Sequence, residues 1–365
     1  MTMNYKKVFK VVGLTTLILL VAIFSLGFWF SGLMEGDEYQ RVENVEETIP
    51  SDLTFLNSDS IDHRGKILAV VTSTDLMGES GKSTGYELTE LSRAYYVFEA
   101  NGFQVDIASP KGGKPPVVID DDDVDIYDFA FLNDPIAQSK VKNTIPMSEV
   151  VLDNYEAVYF VGGKGAMYDF PDNQHIQTLV KEYFELGKVI GAVCHGPAAF
   201  VNVKLSDEEY MIEGKKVSSF TNDEELFLIP NALTIFPFLL QSELSKRGAL
   251  FSQSSLYLEN VVLDENLITG QNPWSTWELA ESMIREMGYT PKPRAKTAEE
   301  ISGKILTVFN DEGLESAKNS VLVFKEAKSP IKRELIAVHS VIAIMQWDIK
   351  RTVKLLSLLQ FIKSQ

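Results

Sequence analysis

Short apolar segments that alternate with longer amphipathic ones are the feature that most constrains how this 365-residue chain can fold. Residues 65–71 form a short, mainly apolar run, as in a parallel strand buried on both faces of a sheet. Further strands are predicted over residues 103–108, 157–161 and 189–193. Helices are predicted over residues 89–101, 175–186 and 276–287, and a β-hairpin over residues 261–269. Strands and helices that alternate at this spacing predict a parallel sheet covered on both faces.

Charge and cysteine content argue against several classes of function. The formal net charge of −17 argues against a nucleic-acid partner, because binding phosphates requires a basic surface. Cys194 is the single cysteine, which excludes an intrachain disulfide framework and a zinc site of several cysteines. The four histidines are scattered along the chain, so we predict no metal site.

An apolar segment near the N-terminus predicts a membrane anchor. Residues 11–34 contain no charged side chain and are long enough to cross ~30 Å of hydrocarbon as a helix. The bulky aromatic residues at 28–30 suit a membrane interface and favour an uncleaved anchor over a signal peptide. Lysines precede the segment and acidic residues follow it. The positive-inside rule therefore predicts a single-pass membrane protein, with residues 1–10 in the cytoplasm and the globular part outside.

The remainder of the chain divides into three parts. Residues 35–62 are polar and acidic and predict a linker, residues 63–290 contain the strand–helix pattern, and residues 291–365 predict a helical C-terminal extension. Residues 331–365 hold six Lys or Arg against two acidic residues. We favour a helical hairpin that packs on the domain or on a second subunit. The alternative is an amphipathic helix that lies on an anionic membrane.

The sequence around Cys194 indicates a reactive thiol. The predicted strand 189–193 is followed by Cys194, His195, Gly196 and Pro197, which together predict a strand, a tight turn and a helix. A helix that begins there would direct free N–H groups and its positive dipole end at the thiol, and so stabilise a thiolate. The alternative is a buried structural cysteine. The adjacent imidazole and the turn favour a nucleophile.

A cysteine nucleophile needs a base, a group that orients the base, and donors for a developing oxyanion. His195 is next to the thiol in the sequence. Gly162 and Gly163 end the preceding strand and would bring main-chain N–H groups to the same edge of the sheet, where active sites of open α/β folds lie. Spacing alone does not identify the acid, because the chain has 51 Asp and Glu residues.

Several sequence segments resemble the DJ-1/PfpI superfamily and, within it, the heat-shock-protein-31-like branch. The resemblance covers about residues 65–288 in colinear order, and its main segments are residues 81–86, 90–98, 108–116, 162–173, 192–199, 220–225 and 267–273. It implies a flavodoxin-like three-layer α/β/α sandwich with Cys194 on a nucleophile elbow. It also implies that no cofactor or metal is used, and that the protein forms a homodimer, which is common in the family.

The resemblance assigns the site residues that spacing cannot. Cys194 and His195 match the cysteine and histidine of the family. Glu225 matches the acid that orients the histidine, and its neighbour Glu224 is the alternative. Glu90 matches the acid that lies against the cysteine sulfur and shares a proton with it.

Members of this branch convert methylglyoxal or glyoxal into the hydroxy acid, so the resemblance implies a small aldehyde substrate. The thiolate of Cys194 would add to the aldehyde, and the N–H groups of Gly163 and His195 would form the oxyanion hole. Glu90 or His195 would move the proton from C1 to C2, and water would hydrolyse the resulting thioester. One alternative is a redox-sensing protein, holdase chaperone or deglycase without glyoxalase turnover. The other is a cysteine peptidase or amidase.

Three positions depart from the family pattern. Lys164 stands where histidine is common, Ala94 where proline is usual, and Trp274 where a small residue is usual. Lys164 could change the polarity of the pocket or the pKa of Cys194. Trp274 could narrow the pocket or face outward.

Overall fold

The computed structural model describes Gly27 and residues 30–33, 44–120 and 123–365 of the chain. The chain forms two compact units that divide between residues 295 and 296. The first unit, residues 41–295, contains the predicted strands. The described part of the second consists of Gly27, residues 30–33 and residues 296–365.

The strands of the first unit are short. In chain order, β1 to β11 are Lys66–Val70, Tyr86–Glu87, Gln104–Ser109, Val117–Val118, Ile145–Pro146, Ala157–Phe160, Val189–Val193, Lys216–Val217, Leu250–Phe251, Val261–Asp264 and Leu267–Gly270. Within the described residues, seven of them form one sheet in the order β10-β11-β7-β6-β1-β3-β5. Every neighbouring pair is parallel except β10 and β11, which form the predicted hairpin.

Helices cover both faces of this sheet. In chain order, α1 to α10 are Thr54–Asn57, Leu88–Ala100, Ile126–Asn133, Pro135–Lys142, Ala166–Asp169, Gln174–Glu185, Asn222–Leu228, Ala232–Ile235, Leu240–Lys246 and Thr276–Glu286. Successive side chains of a strand point to opposite faces. In β6, Val158 and Phe160 pack in one core with Leu179 of α6. Tyr159 between them points the other way, its ring 5.8 Å from that of Phe98 in α2. The predicted three-layer α/β/α sandwich is confirmed.

The longer elements match their predicted bounds within one residue at each end. This holds for the parallel strands β1, β3, β6 and β7, and for helices α2, α6 and α10. The five two-residue strands and the short helices between residues 222 and 246 were not predicted. Segments of two to seven residues are too short to show a hydrophobic period.

Part of the predicted acidic linker is folded. Val45–Glu47 and Pro50–Asp52 form single turns of 3₁₀ helix, and α1 follows them. Val45, Leu53 and Phe55 are buried in the first unit, where the segment packs against α2 and α3. Burial of these apolar side chains stabilises the packing of a segment whose other residues are mostly polar or acidic.

The second unit is helical between residues 296 and 365, as predicted. Its helices α11 to α14 are Ala298–Asp311, Leu314–Glu326, Arg333–Met345 and Ile349–Ser364. The helices α13 and α14 pack together, and α14 buries Leu355, Leu358, Leu359 and Ile362 along one stripe. The Arg333 guanidinium donates a hydrogen bond of 2.6 Å to the carbonyl of Leu33 in the same unit. The apolar stripe of α14 therefore packs inside this unit.

The prediction of a single-pass membrane protein with an extracytoplasmic domain is wrong. In the part of the chain that the structure describes, no helix has both the length and the apolar character needed to cross a bilayer. Crossing takes about 20 apolar residues, and α14, with 16 residues, carries several lysines and an arginine. The predicted span, residues 11–34, lies outside the described residues except for Gly27 and residues 30–33.

Candidate active site

Cys194 lies at a sharp turn between β7 and a 3₁₀ helix formed by Gly196–Phe200. Its φ is +57°, in the left-handed region that non-glycine residues adopt only under constraint. Two hydrogen bonds of 2.9 Å hold it there: the N–H of Cys194 donates to the carbonyl of Gly270, and the N–H of Phe220 donates to the carbonyl of Cys194. The predicted tight turn is confirmed, and it places the thiol at the carboxyl edge of the parallel strands.

His195 lies between Cys194 and Glu225. Its Nδ1 is 3.2 Å from Cys194 Sγ, and its Nε2 is 2.6 Å from Glu225 Oε2. All three residues are buried. Burial acts to raise the pKa of Glu225, but the charge and hydrogen bond of His195 outweigh it and hold the pKa below its usual value. The arrangement is that of a thiol, a base and an orienting carboxylate in line.

Glu224 has a different environment from Glu225. Its Oε1 accepts hydrogen bonds from the main-chain N–H of Tyr257 at 2.8 Å and from the side-chain amides of Gln271 and Asn272 at 2.9 Å each. Its Oε2 completes the capping box at the start of α7. Glu224 therefore ties α7 to two loops. The structure brings Glu225, and not Glu224, to the histidine.

Glu90 reaches the thiol from the first turn of α2. The N–H of Gly162 donates a 2.7 Å hydrogen bond to Glu90 Oε2, and the Tyr159 hydroxyl donates one of 2.9 Å to the carbonyl of Glu90. The carboxyl is fully buried, and burial followed by the charge of Glu87 raises its pKa well above the usual value. A hydrogen bond with the Cys194 thiol opposes that shift. These effects favour the protonated acid beside the sulfur.

The environment of Cys194 favours the thiol and not the resting thiolate that the sequence led us to expect. Burial raises the pKa of Cys194, the charge of Glu90 adds to this whenever that carboxyl is ionised, and the charge of Lys164 is the main opposing effect. The helix after the thiol is only a short 3₁₀ segment, so its dipole does not offset burial. Proton transfer to His195 is the route to the thiolate that this geometry provides.

The two main-chain N–H groups predicted to form the oxyanion hole follow neighbouring strand ends. The strands β6 and β7 run parallel with Phe160 opposite Ala192, so Gly163 and His195 occupy matching positions after the two strand ends. Within the described residues, neither N–H makes a hydrogen bond. Gly163 has a φ of +97°. The oxyanion role remains a prediction, and the geometry leaves both donors available for it.

Three departures from the family pattern are located by the structure. Ala94 is buried inside the continuous helix α2, where proline would remove a main-chain donor. Trp274 is half-buried with its ring 5.6 Å from that of Tyr257. The Lys164 ammonium lies 5.9 Å from the centre of the Phe220 ring, which is itself 4.8 Å from the His195 ring.

Glu87 is a site residue that the sequence analysis missed. It precedes Glu90 by three residues at the start of α2, so both carboxyls belong to one turn of the chain. Its N–H donates to the carbonyl of Gly162 at 3.3 Å, and its buried Oε1 has no hydrogen-bond partner among the described residues. The spacing of the two acids was the available signal.

Comparisons with known proteins agree with this fold and site. Residues 82–286 match the DJ-1/PfpI family. The crystal structure of Francisella tularensis Rapid Encystment Protein 24 kDa is 35% identical, with a TM-score of 0.58, over 61% of this chain and 99% of that one. Glyoxalase III from Candida albicans is 26% identical in its crystal structure, with a TM-score of 0.55, over 62% of this chain and 98% of that one.

A relative with a named activity is similar to this chain over the same extent. The glutathione-independent glyoxalase HSP31 of Saccharomyces cerevisiae is 28% identical over 229 residues, which are 60% of this chain and 95% of that protein. The similarity therefore includes nearly the whole of each relative.

Proposed function

The chain belongs to the DJ-1/PfpI family, and on that basis we propose that it is a glutathione-independent glyoxalase that converts methylglyoxal or glyoxal into the 2-hydroxy acid. The observation that carries the proposal is the line of contacts from Cys194 Sγ through His195 to Glu225, at 3.2 and 2.6 Å. The relatives named as glyoxalases support it. The homodimer and the lack of a nucleic-acid partner also remain predictions.

The reaction begins with loss of the thiol proton. Cys194 transfers it to His195, whose positive charge Glu225 stabilises. The thiolate adds to the aldehyde carbon C1 and forms a hemithioacetal, with its oxyanion held by the N–H groups of Gly163 and His195. No external cofactor is needed for this addition, since the electron pair of the new C–S bond comes from the sulfur.

The second stage is a proton transfer from C1 to C2 through an enediol. Two groups beside the sulfur are the candidate bases. His195 can accept the C1 proton after it has given the thiol proton to the hemithioacetal oxygen, and Glu90 can accept it after its own carboxyl has lost its proton. The product of this step is a thioester of the 2-hydroxy acid. Water then cleaves the C–S bond, which releases lactate or glycolate and returns the proton to the thiol. In the overall reaction one water molecule adds to the dicarbonyl to give the 2-hydroxy acid.

The burial of the nucleophile supports a small substrate. Cys194 is 5% exposed and His195 is 1% exposed. A peptide bond in an extended chain needs an open cleft beside the nucleophile, whereas a three-carbon aldehyde does not. Burial of this degree therefore favours an aldehyde over the substrate of a peptidase.

The test is lactate formation from methylglyoxal by the full chain without glutathione. We expect turnover, and a loss of about 10³-fold or more in the Cys194→Ala and Cys194→Ser variants. Glu79→Gln changes an exposed acid on a loop outside the site and is the control that keeps its activity. No lactate from the folded wild-type protein would contradict the proposal and favour a redox or chaperone role for the same thiol.

A further inference from the structure

Two charged side chains flank the thiol without belonging to the line of contacts just described. Glu87 approaches from the start of α2, and Lys164 follows the glycine pair at the end of β6. Both are partly buried. Neither forms an ion pair within the described part of the chain, so their charges are not neutralised by a close partner of their own.

The backbone brings these two residues to the same place. Gly162 is the point of closest approach: a Cβ there would lie 2.5 Å from Glu90 Oε2 and 2.8 Å from Cys194 Cβ. A Cβ on Gly163 would lie 2.8 Å from the main-chain nitrogen of Glu87. The loop that carries Lys164 is thus packed between the first turn of α2 and the elbow.

The charges of the two side chains act on the sulfur in opposite directions. Lys164 lowers the pKa of Cys194, and Glu87 raises it. Lys164 also acts on Glu87 itself: burial raises the pKa of that carboxyl to about 7, and the ammonium limits the rise. A buried site with two acidic side chains beside the sulfur disfavours a further negative charge, and a nearby cation offsets this.

Several other titratable and charged side chains act on Glu87 and Cys194. The charges of Asp123 and Asp120 raise the pKa of Glu87, and that of Arg93 lowers it. Two further titratable side chains lie at the thiol itself: Glu90, whose charge acts on Cys194, and His195, whose Nδ1 is 3.2 Å from the sulfur. Glu225 also lies within the field of Lys164.

We propose that Lys164 and Glu87 are a pair of positioning residues that set how readily Cys194 loses its proton, the ammonium favouring the thiolate and the carboxylate opposing it. The inference rests on the proposed function only in taking Cys194 as the nucleophile. Near neutral pH the carboxyl of Glu87 gains or loses its own proton, since its pKa is about 7. Raising the pH through this range charges Glu87 and makes the thiolate harder to form, so the thiol titrates over a broad range.

Alkylation by iodoacetamide tests this directly, because Cys194 is the single thiol of the chain and the slower alkylation of other side chains is measured in Cys194→Ala and subtracted. The rate is measured from the intact mass of the full-length protein between about pH 5 and pH 10; because the thiol pKa is raised, the rate in this range follows the small thiolate fraction. We expect Lys164→Gln to slow alkylation about tenfold at neutral pH, as a rise of about one unit in the thiol pKa would. Lys164→Arg keeps the charge and the wild-type profile.

Glu87→Gln should act in the opposite sense. We expect faster alkylation at neutral pH and a narrower profile, because the titrating neighbour is gone. The double variant Lys164→Gln, Glu87→Gln should return the alkylation rate at neutral pH most of the way to the wild-type value. This recovery distinguishes an electrostatic pair from damage to the fold, which a second substitution would not repair.

Lys82→Gln and Glu79→Gln are the matched controls, since both residues are exposed on the loop before β2. The inference is wrong if the Lys164→Gln profile superimposes on the wild-type profile, or if Lys82→Gln shifts it equally. Alkylation needs no aldehyde. A protein that fails to turn over methylglyoxal but shows the opposed shifts would contradict the proposed function and leave this inference standing.

Discussion

Two adjacent carboxylates of α7 have different roles at the scale of single residues. Successive helical residues are about 100° apart, so Glu224 and Glu225 cannot face the same partner. The carboxylate of Glu224 accepts hydrogen bonds from main-chain and amide donors, whereas among the described residues the carboxylate of Glu225 has one hydrogen-bond partner, His195, at 2.6 Å. The family resemblance favoured Glu225, but local spacing alone could not exclude Glu224, because the direction of α7 depends on loops that the local pattern does not describe.

This difference predicts opposite outcomes for two isosteric substitutions. Glu225→Gln keeps the shape of the orienting group but removes the charge that stabilises protonated His195. We expect kcat/KM for methylglyoxal to fall by roughly 10²–10⁴-fold, with the melting temperature changed little.

Glu224→Gln should mainly destabilise the protein, because an amide nitrogen would then face buried N–H donors. Each unsatisfied donor costs about 1–3 kcal/mol, which lowers the melting temperature by several degrees in a unit of this size. Thermal unfolding and steady-state kinetics on both variants give the comparison. Equal losses of activity at equal stability would contradict the assignment of Glu225.

At the scale of elements, the site depends on how closely the end of β6 approaches α2 and the elbow. Three atoms lie within 3 Å of the position that a side chain on Gly162 would occupy: Glu90 Oε2, the carbonyl oxygen of Val193 and Cys194 Cβ. Contacts this short require one of the three neighbouring atoms to move. The carbonyl oxygen of Val193 is held by the backbone and Cys194 Cβ belongs to the nucleophile, so we expect the Glu90 carboxyl to move.

Gly162→Ala should therefore separate Glu90 from the sulfur and reduce both activity and stability. We expect a loss of activity of at least about tenfold, and a destabilisation of roughly 1–3 kcal/mol from overpacking. Gly303→Ala is the matched control, because Gly303 lies within α11 with nothing within 4 Å of the added carbon. Alanine at that helical position should raise stability by up to about 1 kcal/mol. Wild-type activity in Gly162→Ala would refute the close-approach argument.

At the scale of the whole molecule, the strand–helix order predicted the architecture because long buried elements leave a clear pattern. The strands β6 and β7, and β1 after its first residue Lys66, are buried and almost entirely apolar, since both faces of the sheet are covered. The order of the strands depends mostly on pairings between residues tens of positions apart, and Glu90 and Cys194 are more than 100 positions apart in the sequence. Local periodicity contains none of these contacts. The family resemblance supplied Glu90 and Glu225.

Two expectations failed because each relied on one local property. The membrane prediction rested on the hydropathy of a single segment, and no described helix supports it. The expectation of a resting thiolate rested on a helix dipole, and did not include burial by the rest of the fold, which raises the pKa of Cys194. Glu87 was overlooked although its spacing from Glu90 is visible in the sequence.

The central claim is that the carbon chain of the substrate is bonded to Cys194 during turnover. The most direct measurement is a single-turnover reaction with enzyme in excess over methylglyoxal, quenched in acid at successive times and analysed by peptide mass mapping. We predict a hydroxyacyl thioester on the peptide that contains Cys194, which appears and decays as lactate accumulates and is absent from Cys194→Ser. Lactate that forms at the same rate with no ester on Cys194 at any time, or that also forms in Cys194→Ser, would contradict the account.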